Sequence, residues 1–280
     1  PRDELVARAR SSEALLTMLT DRVDADLLSS APGLRAIANY AVGTDNIDLG
    51  AATAAGIPVG NTPDVLTDAT ADLAFALLLA AARRLPEAAA AVRAGDWPTW
   101  APDAFVGHDV TGTTLGIVGY GRIGQAMARR GEGFGMQVLH NARSGGVALD
   151  ELLRRADFVS IHAPLTPETR GLIGERELGL MKPTAILVNT ARGPLVDTPA
   201  LERALRDGQI AGAALDVTDP EPLPADHPLL GAPGLIVVPH IGSATHRTRE
   251  RMADLAADNL LAALAGQRMP HCANPEVYER

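Results

Sequence analysis

Three short stretches carry the residue types that reduction of a carbonyl next to a carboxylate requires. They are Val188-Asn189-Thr190-Ala191-Arg192-Gly193, Leu215-Asp216-Val217-Thr218-Asp219-Pro220-Glu221-Pro222 and Val238-Pro239-His240-Ile241-Gly242-Ser243. One offers a cation, one a carboxylate and one an imidazole. Arg192 would bind the carboxylate and polarise the ketone, His240 would deliver the proton, and Glu221 would hydrogen-bond the imidazole and favour its charged form. Singly, each has an ordinary explanation: a surface arginine, a loop carboxylate, a structural histidine. Six other histidines, at 108, 140, 162, 227, 246 and 271, show how little one imidazole means. The order Gly-rich turn, Arg, Glu, His at the ends of successive strands carries the weight.

The glycine turn is Gly119-Tyr120-Gly121-Arg122-Ile123-Gly124, preceded by the apolar run Leu115-Gly116-Ile117-Val118 and followed by an amphipathic stretch. In a strand-turn-helix of this kind Gly119 permits the tight turn, Gly121 lets the backbone approach a pyrophosphate, and Gly124 lets the helix pack on the strand. The helix N-terminus then offers free N–H groups to the phosphates. The end of the next strand decides which dinucleotide binds, because an acid there holds the ribose hydroxyls. The window Val138-Leu139-His140-Asn141-Ala142-Arg143-Ser144 has none. Arg143 and Ser144 could instead hold a 2′-phosphate, so NADP(H) is expected over NAD(H), which remains possible.

These groups need a scaffold, and the chain alternates short β-rich runs with Ala- and Leu-rich stretches of helical spacing. Strands are expected at 34–39, 114–118, 137–140, 158–161, 185–189, 212–216 and 235–238, several continuously apolar as in sheets covered on both faces. Helices are expected at 1–9, 67–94, 123–133, 149–155, 198–207 and 245–265, the last capped by Thr245 and ending before Gly266. The class is α/β. Segment 88–111 is the compositional break, with Trp97 and Trp100 in a Pro- and Gly-punctuated loop that either lies over its own surface or binds something.

The 280 residues carry 34 acidic and 25 basic side chains, a net charge of −9, which gives no field to attract nucleic acid or an anionic membrane. The apolar run 73–82, closed by Arg83-Arg84, is far shorter than the roughly 20 residues of a membrane helix. Cys272 is the single cysteine, so neither an internal disulfide nor a zinc–thiolate cluster can form, and a reducing, cytoplasmic setting is expected.

With these motifs placed, the sequence resembles the D-isomer-specific 2-hydroxyacid dehydrogenases, and among them the glyoxylate and hydroxypyruvate reductases. The resemblance runs through Ala41-Val42-Gly43-Thr44-Asp45-Asn46-Ile47-Asp48, Gly56-Ile57-Pro58-Val59, Asn61-Thr62-Pro63, Thr70-Ala71-Asp72-Leu73, the glycine turn, His162-Ala163-Pro164-Leu165-Thr166, Asn189 to Gly193 and Pro239 to Ser243. It implies two doubly wound parallel-sheet, Rossmann-like domains with the active site in the cleft between them. The substrate-binding domain would comprise 1–66 and a C-terminal helix in 246–280, and the NAD(P)-binding domain 67–245. It implies that Arg192, Glu221 and His240 are catalytic, that amides near Val42 and Gly43 receive the substrate carboxylate, and that Gly121, Arg122 and Ile123 contact phosphate. Further cofactor contacts would fall near Pro164, Thr190, Asp216 and Gly242. It also implies a homodimer in which Trp100 narrows the partner's substrate pocket. The reaction would be hydride reduction of a small 2-keto acid to the D-2-hydroxy acid.

Two places depart from the family pattern. The chain starts inside the helix that should follow a first strand, and between Arg143 and the helix at Leu149 about ten residues and a strand seem missing by typical αβ-unit lengths. The 280 residues are therefore expected to be roughly nine-tenths of a longer chain. Two alternatives stay open: another dehydrogenase of the family, of lactate, phosphoglycerate, formate or phosphonate type, or a dinucleotide-sensing corepressor-like binding protein of the same fold.

Overall fold

A computed structural model describes residues 2–279, so Pro1, the start of the first expected helix, lies outside them. The chain divides into two compact units, one running to Leu66 and resuming at Ser243, the other Thr67–Gly242.

In the smaller unit three parallel strands, β1 (Ala14–Thr17), β2 (Ala36–Asn39) and β3 (Val59–Gly60), lie in that order, Ala14 opposite Ala36 and Ile37 opposite Val59. The helices are α1 (Arg2–Arg10), α2 (Ala25–Ser30), α3 (Leu49–Ala54) and the C-terminal α10 (His246–Leu264). Asp24, Asp48 and Thr245 each cap a helix, accepting from the amides of Leu27, Ala51 and Thr248. Leu27, Ile37 and Val59 centre the core, and Asn259 of α10 ties the unit together, donating to Asn61 O and accepting from His271 N. The sequence pattern leaves β1 and β3 undetected: only Leu15 and Thr17 of β1 point inward, and β3 is two residues long.

The larger unit holds a seven-stranded sheet. Its strands are β4 (Thr114–Val118), β5 (Gln137–Ala142), β6 (Gly145–Gly146), β7 (Phe158–Ile161), β8 (Ile186–Asn189), β9 (Gly212–Leu215) and β10 (Leu235–Val237). The spatial order is β10-β9-β8-β7-β4-β5-β6, parallel except for β6. Chain order reverses between β4 and β7, the crevice where open α/β sheets bind ligands. One face carries α4 (Thr67–Ala82) and α6 (Arg122–Gly133) over Leu78, Ile117, Met127 and Phe158. The other carries α7 (Leu149–Arg155), α8 (Glu175–Leu178) and α9 (Thr198–Arg206) over Leu152, Ile161, Leu187 and Leu201. Burial on both faces explains why these strands read as continuous apolar runs.

Two expectations need correction. The expected helix 67–94 is broken after Ala82: Arg84 takes a left-handed conformation (φ 51°) and Pro86 opens a separate α5 (Leu85–Ala94). Between Arg143 and Leu149 a strand does follow: the short β6 pairs antiparallel with β5, Ala142 opposite Gly145 and Asn141 opposite Gly146. Among the described residues no helix is long and apolar enough to cross a membrane.

Candidate active site

The C-terminal ends of β4, β8, β9 and β10 bring the candidate groups of the larger unit to one edge of its sheet. At β4 each glycine of the turn meets the demand read from its position. Gly119 has φ 93°, and a Cβ there would lie 2.4 Å from Ala163 N, so the turn is pressed onto the segment after β7. A Cβ on Gly124 would meet Gly119 O at 2.2 Å, whereas one on Gly121 would meet nothing within 4 Å. The open space is where a pyrophosphate has to approach. Gly121 is the N-cap of α6 and no side chain makes a capping hydrogen bond at that end, as at a helix N-terminus that receives an anion. Thr190, just past β8, is buried and its Oγ1 has no hydrogen-bond partner, which a ligand group entering there would satisfy. Both observations fit a dinucleotide. Pro164 is exposed on the loop after β7, and Arg143 and Ser144 form the exposed tip of the β5–β6 hairpin.

Arg192 follows β8 on a loop braced by Asn189, whose Oδ1 accepts from Ala191 N at 3.0 Å while Nδ2 donates to Arg192 O at 2.9 Å. The next residue has to be glycine, because a Cβ at Gly193 would sit 1.9 Å from Thr218 O. That close approach brings the Arg192 loop against the loop after β9, which carries Glu221. His240 follows β10, and its Nδ1 lies 2.5 Å from Glu221 Oε1. Burial pushes the Glu221 carboxyl up, but the hydrogen bond and charge of His240, the Thr218 amide and the Arg192 guanidinium together bring it below the usual carboxylate range. The cation, the carboxylate and the imidazole are thus one electrostatic unit. With Nδ1 engaged by Glu221, Nε2 is the ring nitrogen left for proton transfer to a substrate.

His240 has φ 53°, a left-handed conformation that a histidine adopts at some energetic expense. Asp216 holds it there. Its Oδ1 accepts from Ile241 N at 2.6 Å and Oδ2 from Gly242 N at 2.8 Å, while its carbonyl accepts from His240 N at 2.9 Å. Burial raises the Asp216 carboxyl above its ordinary value, with Glu221 adding to the rise and the two amides and His240 opposing it. Gly242 packs against this carboxylate and Thr70 of α4. The bracing roles of Asn189 and Asp216 escape a reading by residue type, although a polar residue closing a buried apolar strand is a visible signal.

In the smaller unit Val42 and Gly43 follow β2, and both carbonyls are taken by asparagine side chains. Asn61 Nδ2 donates to Val42 O at 2.9 Å and Asn39 Nδ2 to Gly43 O at 2.8 Å. In the tryptophan segment Trp97 is 57% and Trp100 76% exposed, and α5 before it buries no residue, while its far end packs back on its own chain, with Val110 in the core and His108 N donating to Ala82 O at 2.8 Å.

A family model for the NAD binding domain of the D-isomer specific 2-hydroxyacid dehydrogenases matches residues 75–242. The chain is 52% identical to a glyoxylate reductase of Thermococcus litoralis over 292 aligned residues, covering 99% of this chain and 88% of that one. The crystal structure of the TT0316 protein from Thermus thermophilus superposes with a TM-score of 0.94 at 52% identity, over 98% of this chain and 89% of that one. An NADPH-dependent glyoxylate/hydroxypyruvate reductase from Sinorhizobium meliloti, solved with NADP and malonate, superposes with a TM-score of 0.86 at 34% identity over 98% of this chain and 87% of that one.

Proposed function

Since the chain belongs to the D-isomer specific 2-hydroxyacid dehydrogenase family and is an NAD(P)-dependent oxidoreductase, we propose that it reduces glyoxylate and hydroxypyruvate to glycolate and D-glycerate, with NADPH the preferred donor. The observation that carries the reading is the 2.5 Å His240–Glu221 pair, within the electrostatic reach of Arg192 and on the same sheet edge as a dinucleotide turn.

A bound nicotinamide supplies the hydride that the carbonyl carbon accepts. The chain's residues do the rest. Arg192 binds the substrate carboxylate and draws electron density from the carbonyl oxygen. His240 gives its Nε2 proton to that oxygen as the new C–H bond forms, so that a ketone plus hydride plus proton yields the hydroxy acid. Glu221 stabilises the charged imidazole that does so. The turn at Gly119, Gly121 and Gly124 with the first turn of α6 would hold the pyrophosphate, and Pro164, Thr190, Asp216 and Gly242 would contact the rest of the dinucleotide. NADPH is favoured because the end of β5 presents Arg143 and Ser144 and no acid. A relative of this fold is described as NADPH-dependent and bound to NADP.

A second copy of the chain would cover α5 and the tryptophan loop, where Leu85, Val92, Trp97, Trp100 and Val106 are all exposed. In that homodimer Trp100 narrows the partner's substrate pocket. The unpaired, half-buried Cys272 is in keeping with a reducing, cytoplasmic setting. The test is oxidation of NADPH and NADH in parallel with glyoxylate, hydroxypyruvate, pyruvate and 2-ketoglutarate, alongside a light-scattering mass. The expected result is turnover of the first two acids, faster with NADPH, at twice the mass of a single chain. Inactivity with every acid, despite cofactor binding, would favour a dinucleotide-sensing binding protein of the same fold.

A further inference from the structure

We propose that Arg130 is a positioning residue for His240. It fixes the register of α4 on α6, and the first turn of α4 sets the wall against which the His240 loop is packed. The inference rests on the reading of His240 as the acid and deepens it with a residue that acts through others.

Asp216 holds the amides of Ile241 and Gly242, but a left-handed residue at 240 also needs the chain after it kept in place. Gly242 is buried, and a Cβ there would lie 3.0 Å from Asp216 Oδ2, 3.4 Å from Thr70 Cγ2 and 3.5 Å from Thr70 Oγ1. Thr70, itself buried, is thus the second wall of the loop. It stands on the inner face of the first turn of α4, a helix that lies across β8, β9 and β10 and against α6. Any slide or roll of α4 moves that wall.

Apolar packing fixes such a slide only loosely, because many of the residues the two helices bury are small: Ala71 and Ala74 on α4, Gly124, Ala128 and Gly131 on α6. Small side chains make shallow ridges. Arg130 supplies the register instead. Its side chain folds back on α6, Nη1 donating to Ala126 O at 2.8 Å. Nε donates to Asp72 Oδ1 at 2.7 Å, and Nη2 reaches the same oxygen at 2.6 Å, Asp68 O at 3.2 Å and Asp68 Oδ1 at 3.3 Å. Asp68 and Asp72 stand one turn apart on the outer face of α4, so a single planar guanidinium grips both the backbone and two side chains of the turn that carries Thr70. Arg129 comes no closer to Asp68 than 3.9 Å. The two carboxylates are 75% and 69% exposed, so water screens them and folding gains little from the cluster. Its effect is on geometry.

Wild type, Arg130→Gln, Arg130→Lys, Thr70→Ala and the Arg130→Gln/Thr70→Ala double variant test the wall. The measurements are steady-state NADPH oxidation with glyoxylate, the solvent isotope effect on kcat, and the nitrogen NMR signals of the His240 ring, assigned by their loss in His240→Gln. Arg130→Gln should lower kcat about three- to tenfold, leave the KM for NADPH within about twofold, raise the solvent isotope effect and displace the His240 signals. Lysine keeps the charge but cannot span Asp68 and Asp72 together, and should restore less than about half of the lost rate. In the Thr70→Ala background the Arg130→Gln loss should shrink to less than about twofold, because the wall it places is gone. The unfolding equilibrium of each Arg130 variant should change by less than about fivefold, which separates a loss of rate from a loss of fold. Unchanged kcat with unmoved His240 signals overturns the proposal, as does full rescue by lysine or an equal loss in both backgrounds. A wild type that turns over no 2-keto acid would remove the reaction proposed above, and the His240 signals alone would then decide whether Arg130 holds the loop.

Discussion

Replacing Glu221 by Gln preserves the shape of the pair with His240 and removes its charge. Hydrogen bonds to charged groups contribute about 1.5–3 kcal/mol. Here the Glu221 side chain is 41% exposed and that of His240 28%, so water screens the pair and the lower end of that range, about 1.5 kcal/mol, applies. At about 1.4 kcal/mol per factor of ten, that corresponds to roughly a tenfold loss of kcat/KM. The direction follows from the charge. Reduction consumes a proton from the cationic imidazole, the carboxylate stabilises that cation, and the amide does not. The loss of kcat/KM for glyoxylate in Glu221→Gln should therefore grow as the pH is raised. Activity on the alkaline side should drop about tenfold and return on acidification. The wild-type pair should persist through the acid arm because Glu221 is held below the usual carboxylate range. Initial rates of NADPH oxidation across the pH range, in both proteins, measure this. A loss of equal size at every pH would mean that Glu221 only shapes the loop, and an unchanged rate would remove it from the mechanism.

Other perturbations separate the remaining roles. His240→Ala should lose several orders of magnitude in turnover while NADPH still binds with near wild-type affinity in a calorimeter. Gly193→Ala, whose added Cβ would lie 1.9 Å from Thr218 O, should drive the Arg192 and Glu221 loops apart and lower kcat/KM by more than about tenfold, with cofactor affinity little altered. His162, 2.8 Å from Ser160 Oγ, is held by burial to about 4 against an ordinary 6.5. The unfolded chain therefore takes up that proton first, and stability should fall from about pH 6.5 toward pH 4 by at most roughly 3 kcal/mol. Denaturant titrations of wild type and His162→Gln should show that this part of the acid sensitivity disappears in the variant. Trp100→Ala should reorder the substrate preference while leaving the affinity for NADPH alone, as kcat/KM values for glyoxylate and hydroxypyruvate would report.

What the sequence discloses here depends on how far apart the cooperating atoms lie along the chain. The roles of Gly119, Gly121 and Gly124 are legible because the strand, the turn and the helix they serve lie within a dozen or so neighbouring residues, and the structure gives each glycine the surroundings its position demands. Arg192, Glu221 and His240 are legible by type, since an α/β pattern already places strand ends together. The break at Arg84 could have been read from Pro86, but the apolar spacing on both sides outweighs one proline. Asp216 shows the limit most clearly. The family resemblance implies that it contacts the cofactor, while both of its oxygens accept from amides about 25 residues away, at Ile241 and Gly242. A left-handed histidine costs about 1–3 kcal/mol, and a buried carboxylate accepting two amides is what the chain sets against it. His240 is thus legible as the acid, but the force that fixes its backbone comes from a pairing no local pattern contains. The bracing residues of this site, Asn189 and Asp216, are defined by where the sheet brings them rather than by what precedes or follows them.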